Sequence, residues 1–419
     1  MNDSDLVEFR DRDPNISREW GRKENGTEIS RIQFGYDSME RQEKFFRSLC
    51  ETEEEWEKYM RYRKEWHRRS YEFDSGDIPL SVSCELVGSC NLDCSMCYTR
   101  TKSFQESVIG GQQMLPWIIV KNIIDECAEL GVPSMLFSWR GESSLYRSKD
   151  KDGNIKTFPD VLSYAKKRGI LEITSLTNGH FVGKKMASEI IKAEPSWISF
   201  SVDGMEENYN KIRTPGNKVG TNYNAFQMVV NNIKNIVQER NRLGKKRPQI
   251  RSNTIFPAIS DYHKEYQKFM ADIGVDWITV NEMYDVRKDK MKEDDIKKSW
   301  RCQYPFQRLI ISCNGIILPC TGAYEEPEEL VLGRYIGSSP KEIRKDGKTV
   351  IIDYEQMNIN DAWRSKKINW LRKKQKELKR CDIETCKYCV NGAVKHDVKW
   401  IPDDWNLDNM DWDNSNNIG

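Results

Sequence analysis

From Ile78 to Asn281 the chain alternates short apolar runs with longer amphipathic ones. The short runs are Pro79–Leu86, Pro133–Ser138, Leu171–Leu176, Trp197–Val202, Gln249–Phe256 and Asp276–Asn281. Each has the length of a strand, and the segments between them repeat their apolar residues at helical spacing. Pro116 opens one such helix, Val120, Ile123, Ile124 and Cys127 form its apolar stripe, and Gly131 stops it. Phe226, Val230, Ile233 and Val237 make a similar stripe after the fourth strand. Strands alternating with helices predict an α/β fold built on a parallel sheet. Six strands with five intervening helices fall short of a complete eight-fold barrel.

The flanks read differently. Residues 1–38 are polar and predict a loosely ordered segment or one draped over the body. Met39–Cys50 predicts a short helix with Phe45, Phe46 and Leu49 inward. Thr52-Glu-Glu-Glu55 then forms a capping-box signal, with Thr52 as N-cap and Glu55 reaching back. The helix that follows carries Trp56, Tyr59, Met60 and Arg63 at helical spacing. Such a basic, aromatic helix can touch RNA or an acidic substrate, or pack on the body with a solvated charged face. After Asn281, Tyr284–Trp300 is densely charged and predicts a helical linker. Gln307–Ser312 and Ile316–Pro319 then flank Asn314-Gly315, the signal of a type I′ hairpin, and Asp361–Lys379 predicts a helix. The expected organisation is a helical extension over 1–77, a core over 78–283, a linker over 284–301, a small second unit over 302–392 and an acidic tail over 393–419.

Charge and composition narrow the functions. Sixty-six basic against 65 acidic residues leave a net charge of +1, so no global field favours nucleic acid or a membrane. The N-terminal stretch has no basic, apolar export signal, and no apolar run approaches the roughly 18 residues of a spanning helix. Twelve cysteines without an export signal point to metal or redox chemistry in the cytoplasm.

Those cysteines fall in two groups. Cys90, Cys94 and Cys97 have the spacing C-x3-C-x2-C, directly after the first strand. Three thiolates on one loop can share a soft metal centre, and a four-iron cluster so held keeps one iron without a protein ligand. A zinc knuckle needs a fourth ligand, and the nearest preceding histidine is the distant His67. In parallel sheets ligands bind beyond the carboxyl ends of the strands. Trp139-Arg140-Gly141-Glu142-Ser143 follows the second strand, and Thr177-Asn178-Gly179 the third. Ser201, Asp203 and Gly204 follow the fourth with Tyr209 and Arg213 beyond, and Glu282 and Asp285 follow the sixth. In the second group, the hairpin brings Cys302 and Cys320 together, and Cys386-Lys-Tyr-Cys389 offers a chelating pair. Four such thiolates can enclose a cluster or a zinc ion. Cys313 and Cys381 are left over; Cys313 is a buried thiol or a hydrogen-atom donor facing the substrate.

The first cysteine group and the strand-end motifs resemble the radical SAM superfamily, and the second group resembles its twitch or SPASM extension. The resemblance implies a partial (β/α)6 TIM-like barrel. It implies a 4Fe-4S cluster on Cys90, Cys94 and Cys97 whose open iron chelates S-adenosylmethionine (SAM), cleaved reductively to a 5′-deoxyadenosyl radical. The family's usual Gly-Gly-Glu-Pro motif maps onto Arg140–Ser143, so Gly141 and Glu142 are candidates for the methionine amino group, with a cation at Arg140. Ser201 and Asp203 become candidates for the ribose hydroxyls, Arg213 for the methionine carboxylate, Asn178 for the cofactor's surroundings, and Met96 with Tyr98 for the wall against adenine. Cys302, Cys320, Cys386 and Cys389 would hold one auxiliary 4Fe-4S cluster. Glu282 and Asp285 are then candidate bases. The implied reaction is oxidation, dehydration or epimerisation of a small polar molecule such as a sugar, aminocyclitol or nucleotide sugar, or modification of a peptide. A flavodoxin- or ferredoxin-like protein would supply electrons.

Overall fold

Six parallel strands carry the body, and their order in space is their order in sequence. In this computed structural model, residues 23–24, 27–31, 46–100, 102–110, 113–215, 224–281, 293–296 and 298–389 are described. The N-terminal strands are β1 (Lys23–Glu24) and β2 (Thr27–Arg31). The body strands are β3 (Ser81–Cys84), β4 (Ser134–Leu136), β7 (Glu172–Thr177), β8 (Trp197–Ser201), β9 (Gln249–Ile255) and β10 (Trp277–Asn281). A small separate hairpin, β5 (Arg147–Lys149) with β6 (Ile155–Thr157), lies between β4 and β7 in sequence. Each body strand pairs in parallel with the next, from β3 through to β10. All six expected strands are present, and the fold is the partial (β/α)6 barrel.

Helix α1 (Glu53–Glu72) precedes β3, and α2 (Trp117–Leu130), α3 (Phe158–Lys167), α4 (Lys184–Ala193), α5 (Glu206–Ile212), α6 (Ala225–Arg242) and α7 (His263–Asp272) fall among the strands. The stripes on α2 and α6 are buried as expected. They pack on the outward residues of the strands, among them Val82, Ile198, Phe200, Ile278 and Val280, in one core. Pro116 is the N-cap of α2 rather than its first residue, and Gly131 closes the helix in the left-handed region at φ 78°.

Alternation along a strand sends every second residue the other way. With Ile198, Phe200, Ile250, Ile278 and Val280 outward, Ser199, Ser201, Asn253, Thr279 and Asn281 face the lumen. The floor is charged and aromatic. Arg251 lies between the Trp197 and Trp277 rings, 4.5 and 5.2 Å from their centroids. Glu172 accepts hydrogen bonds from Tyr62 (3.1 Å) and Ser134 (2.8 Å). Helix α1 closes this end through Tyr59, Tyr62 and Trp66, which cluster with Phe46, Leu49 and Leu80. The basic, aromatic helix therefore packs on the body. Its N-cap forms as expected, with Thr52 Oγ1 accepting from Glu55 N at 3.1 Å, but the Glu55 carboxylate turns to Glu51 N at 3.0 Å and to Arg247.

Both edges of the sheet are extended. β2 adds in parallel to β10, and β1 pairs with β2 antiparallel, so the N-terminal segment contributes strands where a helical extension was expected. At the other edge β11 (Arg308–Ile311) pairs in parallel with β3, followed by β12 (Ile316–Leu318), β13 (Gly333–Tyr335) and, beyond the exposed hairpin of β14 (Lys341–Lys345) and β15 (Lys348–Ile352), β16 (Gln356–Met357). The second unit thus continues the barrel sheet. The β11–β12 turn is not type I′, which needs positive φ at two residues. Only Gly315 has it (φ 77°), because the Asn314 side chain is held in a buried site, donating to Val108 O at 2.7 Å. The expected helix over Asp361–Lys379 is two, α8 (Ile359–Arg364) and α9 (Lys366–Lys376). Ser365 breaks them and caps the second by accepting from Ile368 N. Of the expected linker helix, the described part shows one 3-10 turn, Glu293–Asp295.

Candidate active site

The loop after β3 carries Cys90, Cys94 and Cys97 across the carboxyl ends of the strands. Three side chains reach their sulfurs: Asn178 Nδ2 lies 3.6 Å from Cys90 Sγ, Arg213 Nη1 3.9 Å from Cys94 Sγ, and Thr99 Oγ1 2.9 Å from Cys97 Sγ. Burial raises the thiol of Cys94, the most enclosed of the three, so as a free thiol it resists ionisation. A metal that takes the thiolate reverses that preference. Among the described residues no three Cys, His or carboxylate side chains stand close enough to hold a single metal ion. A zinc knuckle requires such convergence. An iron–sulfur cluster asks for something else, since each thiolate binds its own iron. The three cysteines fit that group.

Gly141 explains how the next strand end meets this loop. A Cβ there would lie 2.2 Å from Val87 O and 2.6 Å from Ser89 O, so only glycine allows the backbones to touch. Glu142 N then donates to Ser89 O at 3.0 Å. The Glu142 carboxylate is buried. Its Oε1 accepts from Ser144 N (2.9 Å), Ser144 Oγ (2.6 Å) and Thr177 Oγ1 (2.6 Å), while Oε2 accepts from Asn178 N (2.6 Å). Oε2 thus keeps more acceptor capacity than Oε1. Asn178 is held in turn, donating to Asn91 Oδ1 at 2.8 Å and accepting from His180 N at 3.0 Å.

Asp203 and Arg213, expected on separate parts of SAM, meet each other. Arg213 Nε and Nη2 both lie 2.7 Å from Asp203 Oδ2, and Asp203 Oδ1 accepts from Ile255 N at 3.0 Å. Arg213 is thereby fixed with its remaining nitrogen toward Cys94. Ser201 is half-buried at the lumen, and Met96 packs on the edge of the core. Tyr98 sits between Phe104 and Tyr324, with ring centroids 5.3 and 4.6 Å away, so it packs against the second unit. Arg140 does not place a cation beside the methionine site. Its guanidinium points into the seam with the second unit, where it pairs with Glu85 and Glu326. Cys313 is fully buried against Phe104, Val108 and Ile109 and presents no face to a substrate. Glu282 and Asp285 lie outside the described residues.

His180 and Tyr209 had no sequence signal beyond their nearness to the motifs. His180 Nε2 is 2.9 Å from Tyr209 Oη, and burial first, then Arg213, lowers the imidazole from 6.5 to about 4. The unfolded chain therefore binds a proton below pH 6.5 that the folded one refuses until about pH 4. This contribution to stability is intact above pH 6.5 and is lost as pH falls toward 4. Urea midpoints of the reconstituted protein should fall from pH 7 to pH 5, and His180→Gln should flatten that slope. An unchanged slope would remove His180 from the acid response.

In the second unit, Cys302, Cys320, Cys386 and Cys389 all line one apolar pocket with Trp300, Tyr304 and Leu371. Burial pushes the Cys320 thiol up to about 12, with the nearby Cys389 adding to it. Gln375 ties the pocket together, accepting from Cys302 N at 3.1 Å and reaching Cys386 Sγ at 3.9 Å. Cys381 and Cys313 are not in its lining. The four cysteines brought together are the four expected.

Comparison with known proteins agrees with this geometry. Residues 85–240 match the radical SAM superfamily, and residues 302–390 match SPASM, an iron-sulfur cluster-binding domain. The chain carries a radical SAM domain followed by a SPASM domain. 4Fe-4S clusters and SAM are the cofactors of a radical SAM protein with a SPASM domain. A curated relative, Fe-coproporphyrin III synthase of Methanosarcina barkeri (strain Fusaro / DSM 804), is 27% identical over 210 residues, which is 50% of this chain and 46% of the relative. The chain thus matches less than half the length of that relative. Among solved structures, BtrN in complex with AdoMet and 2-DOIA aligns at 13% identity and TM-score 0.42, over 76% of this chain and 96% of BtrN. Streptococcus suis SuiB bound to precursor peptide SuiA aligns at 11% identity and TM-score 0.43, over 74% of this chain and 70% of SuiB. No helix among the described residues is long and apolar enough to cross a membrane.

Proposed function

We propose that this radical SAM enzyme acts as an oxidoreductase or epimerase on a small polar molecule without phosphate or carboxylate groups, bound in the barrel lumen. The observation that carries the reading is the lining above Arg251. Ser199, Ser201, Asn253, Thr279 and Asn281 offer hydroxyls and amides there, and Asn281 donates to Asn253. Buried or half-buried neutral groups of this kind satisfy hydroxyls and amines, whereas a phosphate or carboxylate would ask for unpaired cations. Arg251 at the floor is already stacked between two tryptophans.

When bound at Cys90, Cys94 and Cys97 and at the four cysteines of the second unit, the two clusters and SAM would supply a hydrogen-abstracting 5′-deoxyadenosyl radical and an acceptor for one electron. The chain's own residues do the rest. Glu142 holds an ammonium through its open Oε2, and Asp203 fixes Arg213 where a carboxylate can be gripped. Gly141 brings that strand end onto the cysteine loop. The lumen hydroxyls and amides orient one carbon of the substrate toward the cysteine loop. Glu282 or Asp285, one and four residues after Asn281, takes the proton that leaves when a hydroxyl or amine becomes a carbonyl or imine. A flavodoxin- or ferredoxin-like protein would supply the electrons, and twelve cysteines outside any disulfide suit a reducing cytoplasm.

The test uses anaerobically reconstituted, reduced protein with SAM and deuterated candidates. Neutral polyols and aminocyclitols should pass deuterium into 5′-deoxyadenosine, and Asn253→Leu should suppress the transfer. Transfer only from sugar phosphates, from peptides or from coproporphyrin (tried because of the Methanosarcina barkeri relative) would reject this reading.

A further inference from the structure

Arg140 occupies a SAM-site motif, yet its side chain belongs to the other domain's surface. Its Nε donates to Glu85 Oε1 at 2.9 Å, and Nη2 donates to Glu85 Oε2 at 2.6 Å and to Glu326 Oε1 at 2.8 Å. Nη1 donates to Tyr324 O at 2.9 Å, and the plane stacks 4.1 Å from the Trp139 centroid. Glu326 also takes Lys341 Nζ at 2.6 Å and Asn314 Nδ2 at 3.0 Å, and Glu85 takes Cys313 N at 2.9 Å. Two cations thus face two carboxylates with almost no solvent: the side chains of Arg140 and Glu326 are 0% exposed and Glu85 is 1% exposed. Burial works to raise the Glu326 carboxyl, but Arg140 and Lys341 hold it below the usual carboxylate range.

This seam touches both cysteine sites through short covalent reaches. Tyr98, next to Cys97, meets Tyr324, which lies four residues after Cys320. Glu142 lies two residues after Arg140, and between them Gly141 is pinned on the backbone of residues 87–89. A guanidinium is a planar fork whose bonds fix its orientation, so a shift of Glu326 must move Arg140 and the main chain that presents Glu142. We propose that Arg140 is a positioning residue that couples SAM binding at Glu142 to the seating of the auxiliary-cluster unit against the barrel. The proposal rests on the SAM site described above and goes beyond it in assigning the second unit an influence on that site. Coupling of this kind is reciprocal: if seating strengthens SAM binding, SAM must strengthen seating by the same factor.

The experiment uses full-length protein, reconstituted anaerobically, with SAM affinity read by equilibrium dialysis of labelled SAM. Glu326→Gln keeps shape and removes the charge that holds Arg140, without touching either cofactor site. It should retain wild-type iron and sulfide yet bind SAM on the order of fivefold to tenfold more weakly. Arg140→Lys, which keeps charge but loses the fork, should fall between wild type and Arg140→Gln. Hydrogen exchange needs no variant: SAM should slow exchange in residues 312–335 of the wild type. A weld without coupling would lower the unfolding midpoint in the variants while leaving SAM affinity and exchange alone, and that result overturns the proposal. If the wild type itself binds no SAM, the SAM-site assignment fails and the coupling with it. If it binds SAM but the seam is unaffected, only the coupling fails.

Discussion

Cys94→Ala, reconstituted anaerobically, is expected to hold about half the iron and sulfide of the wild type and to release no 5′-deoxyadenosine with SAM and reductant. Cys94 is the most enclosed of its group, 7% exposed, with Arg213 beside its sulfur. An alanine there leaves two thiolates, and a cube of four irons held by two ligands is not retained. The second pocket is lined by its own four cysteines on different elements, so its iron should stay. The converse variant, Cys386→Ala, should lose the other half and keep the ability to bind SAM. Full iron retention in Cys94→Ala would reject the ligand assignment, and zinc in place of iron in the wild type would reject the radical chemistry.

The barrel was legible because its signals are local and repeated. Each strand is short and apolar, each helix carries one stripe, and punctuation such as Gly131 sits where a left-handed cap is required. The cysteine spacings were legible for a similar reason: chelation by a loop or by a C-x2-C pair is a property of neighbours in sequence. What escaped was decided by partners far along the chain. Arg140 read as a cation for the methionine site, yet Glu326 is 186 residues away and outcompetes it. The β11–β12 turn read as type I′ from Asn314-Gly315, yet the Asn314 side chain is claimed by Val108 O and Glu326. The break at Ser365 was the exception, since a serine N-cap inside a charged helical run is a local signal. Strand pairing of Thr27–Arg31 with β10 could not be read from a polar segment, because an open edge accepts backbone and does not demand a side-chain pattern.

Asp203→Ala is expected to cost about 3–5 kcal/mol of stability, because it leaves the Arg213 charge buried without its partner. The family resemblance gave Asp203 a ribose and Arg213 a methionine carboxylate, two contacts with SAM. Geometry gives them first to each other: both bonds from Arg213 fall on Asp203 Oδ2, and Oδ1 is taken by Ile255 N. Asp203 is 1% exposed, so little of its surface is left for a ribose. Arg213 keeps Nη1 free of Asp203 and turned toward Cys94. The arginine is therefore held by the aspartate with one nitrogen left toward the cysteine loop. Denaturant unfolding separates the two roles. If Asp203 only bound ribose, the alanine variant would unfold like the wild type and lose SAM affinity alone. As the anchor of Arg213 it should lose both, and Asp203→Asn, which keeps a hydrogen-bond acceptor but no charge, should recover part of the stability. Asp203→Ala at wild-type stability would return the aspartate to the cofactor.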